Sequence, residues 1–116
     1  MKYLCLVYSN EHELHSLPDS PHDAECMAYA EAIQGSGRMV AAEALESVQT
    51  ATTVRMRTGK MSITDGPFAE TKEQVAGFYL IDAKDLNEAI QVAGNIPAAR
   101  VGCVEVRPVR QLNPGA

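Results

Sequence analysis

The stretch Asp65–Glu73, with the sequence DGPFAETKE, constrains the fold of this chain more than any other feature. It lies between two runs of strand-forming residues. Pro67 fixes its own backbone and restricts Gly66 before it, so the chain must turn sharply as it leaves the preceding strand. We expect Phe68 to anchor this turn in the core.

Strand-like patterns cover much of the chain. Lys2–Tyr8 is a continuous apolar run with aromatic and β-branched members, which predicts a buried first strand. Thr50–Arg57 and Lys60–Thr64 predict a hairpin, and Val75–Ile81 predicts a further, central strand of the same sheet. Gly102–Val109 alternates apolar with other side chains, which is typical of a strand with one buried face.

The first predicted helix spans about Pro21–Gly35, with Ser20 as its N-cap and Asp23 as the acid of a capping box. It ends at a glycine, as helices often do. Arg38–Ser47 is compatible with a short strand or a helical segment, and we favour an extended segment that leads into the sheet.

The second predicted helix is capped by Asp82 and ends at Gly94. Its apolar residues recur at positions i, i+3, i+4 and i+7, the stripe of a helix that lies on a sheet. These residues are Leu86, Ala89, Ile90 and Ala93.

The element order predicts a ferredoxin-like α+β sandwich, in which two strand-helix-strand units share one antiparallel sheet. Helices then cover one face of the sheet only. A second copy packed sheet to sheet, as a homodimer, is the simplest cover for the other face. The length fits a single domain, residues 1–116, and we expect Gln111–Ala116 to form a flexible tail.

Composition narrows the function. The net charge of −5 comes from 15 acidic and 10 basic residues, and the scattered bases argue against direct nucleic-acid binding. No run approaches the roughly 20 apolar residues of a membrane helix or resembles a signal peptide, so we expect a cytoplasmic protein. Three cysteines without C-x-x-C spacing argue against a disulfide framework or a structural zinc site.

The charges of the Asp65–Glu73 stretch allow two interpretations. Asp65 can cap the backbone of the short turn 69–73, while Glu70, Lys72 and Glu73 form a solvated loop. Alternatively, the group can share protons, hold a cation or orient a polar substrate. In that case Lys72 keeps one carboxylate ionised and crowding raises the pKa of another.

The last strand carries a second polar group. Glu105 and Arg107 share one face, while Val104 and Val106 share the other. If the apolar face meets the helices, the charged face looks into the dimer cavity, where Tyr79 can join it from the neighbouring strand. An enclosed polar pocket near the Asp65 loop and a salt-bridged dimer interface are both consistent with this pattern.

Three histidines, His12, His15 and His22, lie in a polar segment with acidic neighbours. They can form a transition-metal site or be ordinary surface residues, and we favour the second interpretation. Gly35-Ser36-Gly37 follows a helix rather than opening one, so it is not a phosphate loop. We predict neither a metal nor a cofactor.

The stretch around Asp65 resembles the DGPF signature of the YCII-related family. Further similar blocks occur in the same order at Met1–Leu4 with Tyr8, Thr50–Arg55, Thr64–Glu73, Gly77–Ile81 and Glu105–Val109. The resemblance implies a ferredoxin-like fold assembled as a dimeric α/β barrel. It also implies an association of some members with extracytoplasmic-function sigma factors. A related branch has a proposed His-Asp pair for acid-base work, but no motif ties His22 to Asp65 here.

Two hypotheses follow. The first is an acid-base enzyme, an isomerase, lyase or cofactor-independent oxygenase, that acts on a small molecule in a pocket near the DGPF loop. A carboxylate would accept a proton, and Arg107 or Lys72 would hold an anionic group. Its candidate catalytic residues are Asp65, Glu70, Lys72, Tyr79, Glu105 and Arg107. The second is a non-catalytic dimeric ligand-binding or regulatory module linked to sigma-factor-dependent transcription.

Overall fold

Six strands and three helices form the fold in the computed structural model, which describes residues 1–115. The helices are α1 (Glu11–Leu14), α2 (Asp23–Gly35) and α3 (Leu86–Gly94). Short 3-10 turns at Val48–Thr50 and Pro97–Arg100 complete the chain. The strands are β1 (Lys2–Ser9), β2 (Met39–Ala44), β3 (Thr52–Arg57), β4 (Lys60–Asp65), β5 (Gln74–Asp82) and β6 (Gly102–Pro108).

The main sheet has the order β2-β5-β1-β6, and each neighbouring pair is antiparallel. The prediction of an α+β fold with an antiparallel sheet is therefore confirmed. The central position predicted for the strand now called β5 is confirmed as well. Arg38–Ser47, assigned as extended, contains the edge strand β2.

A single core lies between this sheet and the two longer helices. From β1 it takes Tyr3, Cys5 and Val7, every second residue, as expected for a strand with one buried face. Helix α2 contributes Ile33. Helix α3 contributes Ala89, Val92 and Ala93, so Leu86 and Ile90 of the predicted stripe are about half exposed instead.

The opposite face of the sheet, which we call the open face, has no layer of helices over it. Leu4, Leu6 and Tyr8 alternate with the core residues of β1 and are only half-buried. Their neighbours Phe78 and Leu80 on β5 are half-buried too. The molecule measures 46 × 45 × 19 Å, and its short dimension is that of one sheet with one helix layer.

The hairpin β3–β4 forms a separate two-stranded sheet, which we call the arm (residues 52–65). Its turn has positive φ at Thr58 (49°) and Gly59 (74°), as a tight type I′ turn requires. The hairpin itself is confirmed, but the expectation that it joins the main sheet is wrong. The reason is that β2 pairs directly with β5, which leaves no gap for two further strands.

The start of α2 differs from the prediction. The helix begins at Asp23, and its N-cap residue is His22, which provides no side-chain cap. The Ser20 hydroxyl is used elsewhere: it donates to the carbonyl of Glu13 (3.0 Å) and accepts from the amide of Leu17 (2.9 Å). It therefore stabilises the loop before the helix rather than the helix itself.

The cap of α3 also differs from the prediction. Asp85 caps the helix by accepting from the amide of Glu88 at 2.9 Å. The Asp82 carboxylate instead accepts from the N-terminal amino group at 3.0 Å. Both acids were plausible caps, and the length of β5 places the earlier one inside the strand.

No helix among residues 1–115 is long and apolar enough to cross a membrane. The predicted tail, Gln111–Ala116, contains no helix or strand as far as residue 115, and Ala116 lies outside the described residues.

β1 and β6 approach each other closely at Gly102. A Cβ atom at this position would lie 2.0 Å from the carbonyl oxygen of Tyr8, a backbone atom that cannot move aside. We expect Gly102→Ala to lower the free energy of unfolding by about 3 kcal/mol because of this overlap. Chemical denaturation measures the change.

The matched control for this substitution is Gly35→Ala, at the end of α2. No atom lies within 4 Å of a Cβ built there, and alanine favours helix over glycine by up to about 1 kcal/mol. The control should be neutral or stabilising. Equal effects of the two substitutions would contradict the close approach of the strands.

Candidate functional site

A cavity of about 500 Å³ opens on the helix-bearing side of the sheet. It lies between α2 and the strands β2 and β5, close to where β2 ends and β5 begins. Most of its lining is apolar. The apolar side chains include Val7, Leu14, Met27, Leu45, Ile96 and Ala98.

Small residues on the elements that face each other create this space. Ala30 lies on α2, Ala42 and Ala44 on β2, and Gly77 on β5. A Cβ at Gly77 would lie 2.8 Å from the carbonyl oxygen of Glu43, so β2 and β5 can be this close only with glycine there. The sequence of β2 is compatible with a strand or a helical segment, and it gives no sign of a cavity beside it.

Tyr79 lies within the cavity wall. Its ring meets Tyr29 edge-on, with the ring centres 6.2 Å apart, and Tyr29 is held by a hydrogen bond that its hydroxyl donates to the carbonyl of Val92 (2.6 Å). Within residues 1–115 the Tyr79 hydroxyl has no hydrogen-bond partner. It is therefore a free donor at the cavity surface.

Cys26 of α2 lines the same cavity. Burial raises the pKa of its thiol, and the carboxylates of Asp23 and Glu25 add to this rise. Burial also raises the pKa of Tyr79, with smaller contributions from Cys26 and Tyr29. Both groups stay protonated at neutral pH, so they can donate hydrogen bonds but are not ready nucleophiles.

Ionisable side chains gather at one end of the cavity. Glu11, His15, Asp23, Glu43 and Glu46 belong to its lining, which contains neither lysine nor arginine among the described residues. Glu11 is already engaged, because its carboxylate accepts from the hydroxyl of Ser47 (3.0 Å) and from the amide of Val48. His15 and Asp23 also share the wall of a second, smaller recess.

Arg100 holds the loop that forms this end of the cavity. Its guanidinium donates to both carboxylate oxygens of Glu25 on α2, at 2.6 and 2.9 Å. It also donates twice to the carbonyl of Asp19, at 3.2 and 3.1 Å. The hydrogen bond with Arg100 is the main cause that lowers the pKa of Glu25.

The predicted residues of the DGPF stretch lie away from the cavity. Asp65 ends β4, and Glu70 and Lys72 are exposed, with no hydrogen bond or ion pair of these three side chains within residues 1–115. The interpretation of Asp65 as a cap for the turn 69–73 is therefore wrong. Other side chains hold the turn: the hydroxyl of Thr71 donates to the carbonyl of Glu73 at 2.6 Å, and the side-chain amide of Gln74 donates to the carbonyl of Thr71 at 2.8 Å.

The expectation that Phe68 anchors the turn in the core is wrong. The side chain is 78% exposed. The guanidinium of Arg55 on the arm lies 5.4 Å from its ring centre. The physical reason is that the turn follows the arm, which stands away from the core.

The assignment of faces on β6 is confirmed. Val104 and Val106 pack against the core, while Glu105 and Arg107 lie on the open face. The Nε atom of Arg107 is 3.8 Å from Oε2 of Glu105. The structure does not bring Tyr79 to them. Tyr79 pairs with the buried Cys5, and successive strand residues point to opposite faces, so Tyr79 faces the helices.

Tyr8 stands beside Glu105 and Arg107 in the place expected for Tyr79. It pairs with Cys103 across β1 and β6. Partial burial raises the pKa of Tyr8, and the nearby Glu105 carboxylate adds to the rise. The open face thus carries its own small polar cluster, separate from the cavity.

Of the three predicted histidines, His15 lines the cavity and His22 starts α2. Within residues 1–115 no group of three histidine, cysteine, aspartate or glutamate side chains is placed to hold a metal ion. Sequence reasoning therefore missed the cavity residues His15, Asp23, Cys26 and Glu46 as a set. His15 was considered only as one of three histidines that could bind a metal, and Asp23 only as the acid of a capping box.

The architecture is that of a small α+β protein with one covered sheet face and a cavity beneath its first long helix. Residues 1–113 match the family model of the YCII-related domain, and the chain belongs to that family. An uncharacterised protein of Rhizobium meliloti (strain 1021) is 36% identical over 121 residues. That alignment covers 99% of this chain and 97% of the relative.

A solved structure shares the fold. It is 5-chloro-2-hydroxyhydroquinone dehydrochlorinase from Burkholderia phenoliruptrix AC1100, in complex with 2,5-dihydroxybenzoquinone. The TM-score is 0.55 at 16% sequence identity, over 95% of this chain and 94% of that one. At this identity the likeness concerns the fold alone.

The ion pair of Glu25 with Arg100 predicts a pH dependence of stability. The pKa of the Glu25 carboxyl is lowered in the folded chain. The unfolded chain therefore binds a proton at Glu25 more tightly than the folded chain does. The stabilisation is therefore complete above the ordinary value of 4.5 and is lost as the pH falls through the lower folded value. Melting temperatures of the wild type and of Glu25→Gln should differ at neutral pH and converge in acid.

The control is Glu31→Gln, on the same helix but in no ion pair within residues 1–115. Its melting curve should follow the wild type at neutral pH. A gap between the wild type and Glu25→Gln that does not shrink as the pH falls below 4.5 would contradict the assignment.

Proposed function

We propose that this protein binds a small organic molecule in the cavity under α2 and carries out acid-base chemistry on it. The cavity carries the proposal: about 500 Å³, a mainly apolar lining and a few polar groups at one end. Small-molecule sites typically have these features, with volumes of about 300–1,000 Å³. The dehydrochlorinase with the same fold offers a precedent for small-molecule chemistry on this scaffold.

In this proposal two residues of the cavity have different chemical roles. Tyr79 donates a hydrogen bond to an oxygen of the substrate from within the apolar part. His15 lines the polar end, where its imidazole can act as a general base that accepts a proton from a neighbouring carbon and returns it. Such a proton shift next to a carbonyl is the chemistry of a cofactor-independent isomerase or lyase.

Tyr79 is the one predicted catalytic residue that takes part in this proposal. Asp65, Glu70, Lys72, Glu105 and Arg107 lie outside the cavity lining, so a catalytic role for them stays a prediction. Their positions make them useful controls.

We also propose that two copies assemble through the open face into a ferredoxin-like dimeric α/β barrel. The strand order β2-β5-β1-β6 with its two strand-helix-strand units supports the ferredoxin-like part. The uncovered Leu4, Leu6, Phe78 and Leu80 support the sheet-to-sheet contact.

The arm supports the same assembly. Val54 and Met56 of β3 pair with Ile63 and Met61 of β4, so these four side chains share one face, and each is 55–62% exposed. A two-stranded sheet with an uncovered apolar face is marginal by itself. The arm also carries Arg55, Arg57 and Lys60 in a chain of net charge −5, which suits contact with a second, acidic copy.

A second candidate function is a regulatory module that binds its ligand without turning it over, linked to sigma-factor-dependent transcription. The observation in its favour is that burial keeps Cys26 and Tyr79 protonated. Under either function a cytoplasmic location is expected. Ligand binding with no proton exchange would favour the regulatory module over the enzyme.

The roles proposed for Tyr79 and His15 predict that substituting the two residues will have different effects on ligand binding and on proton exchange. A thermal-shift screen of small cyclic ketones and phenols should give a ligand, and Tyr79→Phe should weaken its binding about tenfold, the worth of one net hydrogen bond of roughly 1.4 kcal/mol. His15→Gln should keep binding but abolish deuterium uptake at the ligand carbon, followed by NMR. Ala30→Leu should abolish binding by filling the cavity.

Asp65→Asn and Arg107→Ala are the controls for these variants. Both lie outside the cavity lining, so neither should change binding or exchange. Loss of function in these two variants, with Tyr79→Phe unaffected, would place the site at the DGPF loop instead.

The assembly predicts a mass of about twice 12.5 kDa in light scattering after size exclusion. Met56→Glu with Met61→Glu puts two charges on the apolar face of the arm and should shift the protein toward monomer. The matched control, Ser62→Glu with Thr64→Glu, adds the same charge on the other face of the arm. Equal dissociation by both pairs, or a monomeric wild type, would contradict the interface.

A further inference from the structure

The charge around the cavity has one sign. Asp23 and Glu46 belong to the lining, together with Glu11 and Glu43. None of the lining residues is a lysine or an arginine, and all of them lie within the described residues. A ligand that enters therefore meets carboxylates and no fixed side-chain cation.

Arg100 binds α2 and the loop before it, and its guanidinium is occupied. Four hydrogen bonds join it to Glu25 and to the carbonyl of Asp19. The positive first turn of α2 is also balanced, because it contains the two carboxylates of Asp23 and Glu25. Neither group is free to pair with an anionic ligand.

The polar groups deeper in the cavity are neutral donors. The Tyr79 hydroxyl has no partner within residues 1–115 and can bind an oxygen of the ligand, while the surrounding wall accepts a ring or another apolar body. The cavity thus offers three zones in sequence: an apolar wall, a single hydroxyl donor and an acidic end.

We infer that the ligand of this cavity is an apolar ring compound that carries an oxygen for Tyr79 and a protonated amine for Asp23 and Glu46. This inference rests on the proposed cavity function and deepens it by giving the class of ligand. It reverses the expectation that an arginine or lysine holds an anionic substrate. Like charges at a partly enclosed site disfavour a carboxylate, while opposite charges favour an amine.

Three probes with the same phenol ring test the charge alone: tyramine, the corresponding alcohol tyrosol, and 3-(4-hydroxyphenyl)propionate. Calorimetry at about pH 7 and low salt, where screening is weak, measures their dissociation constants. We expect tyramine to bind about tenfold more tightly than the propionate, with tyrosol between them. Raising the salt to roughly 1 M should reduce this ratio.

The variant Asp23→Asn with Glu46→Gln removes the two carboxylates assigned to the amine and keeps the shape of the cavity. It should bring tyramine and the propionate to within about twofold of each other while leaving tyrosol binding unchanged, which also reports on folding. Glu31→Gln is the matched control. Glu31 is exposed on the same helix as Asp23 and lies outside the lining, so its loss should leave the ratio unchanged.

The outcomes separate this inference from the proposed function. Equal or tighter binding of the propionate by the wild type overturns the ligand class and leaves the cavity function standing. An amine preference that survives in the double variant also overturns it. Failure of all three probes and of every compound in the thermal-shift screen overturns the cavity function itself.

Discussion

The position of β1 between β5 and β6 is the constraint on which the rest of the molecule depends. Because β1 pairs on both sides, the alternation of its side chains assigns a face to every residue of the neighbouring strands. Its buried side builds the core with α2 and α3, and its other side forms the open face. A slip by one residue would exchange the cavity residue Tyr79 with the open-face residues beside it.

The sequence predicts the elements of this arrangement far better than their contacts. β1 and β6 were recognisable from local apolar patterns, and so was the hairpin with its Thr58-Gly59 turn. The helix caps were not, because each helix follows two or more polar residues that compete for the role, and tertiary contacts decide between them. The separation of the arm depends on the direct pairing of β2 with β5, which is a contact between distant segments.

The residues of the candidate site were even harder to predict from the sequence than the contacts between the elements. β5 reads as an almost continuous apolar run around Gly77–Ile81, so nothing local says which face Tyr79 occupies. The cavity exists because the side chains at four lining positions are small or absent. These positions are Ala30, Ala42, Ala44 and Gly77. A clustered run of charges draws attention in a sequence, whereas a set of small residues brought together from three elements does not.

The family signature gains a structural meaning from this comparison. Gly66 has a φ of 111°, a region that favours glycine, and its amide and carbonyl are both bonded to the start of the arm, through Ala51 and Thr53. Pro67 then prevents the chain from continuing straight. The turn therefore fixes the angle at which the arm leaves the body, and through the arm it governs what the apolar residues 54, 56, 61 and 63 can reach. In the dimer that we propose, the signature would therefore serve assembly, while the chemistry that we propose belongs to the cavity.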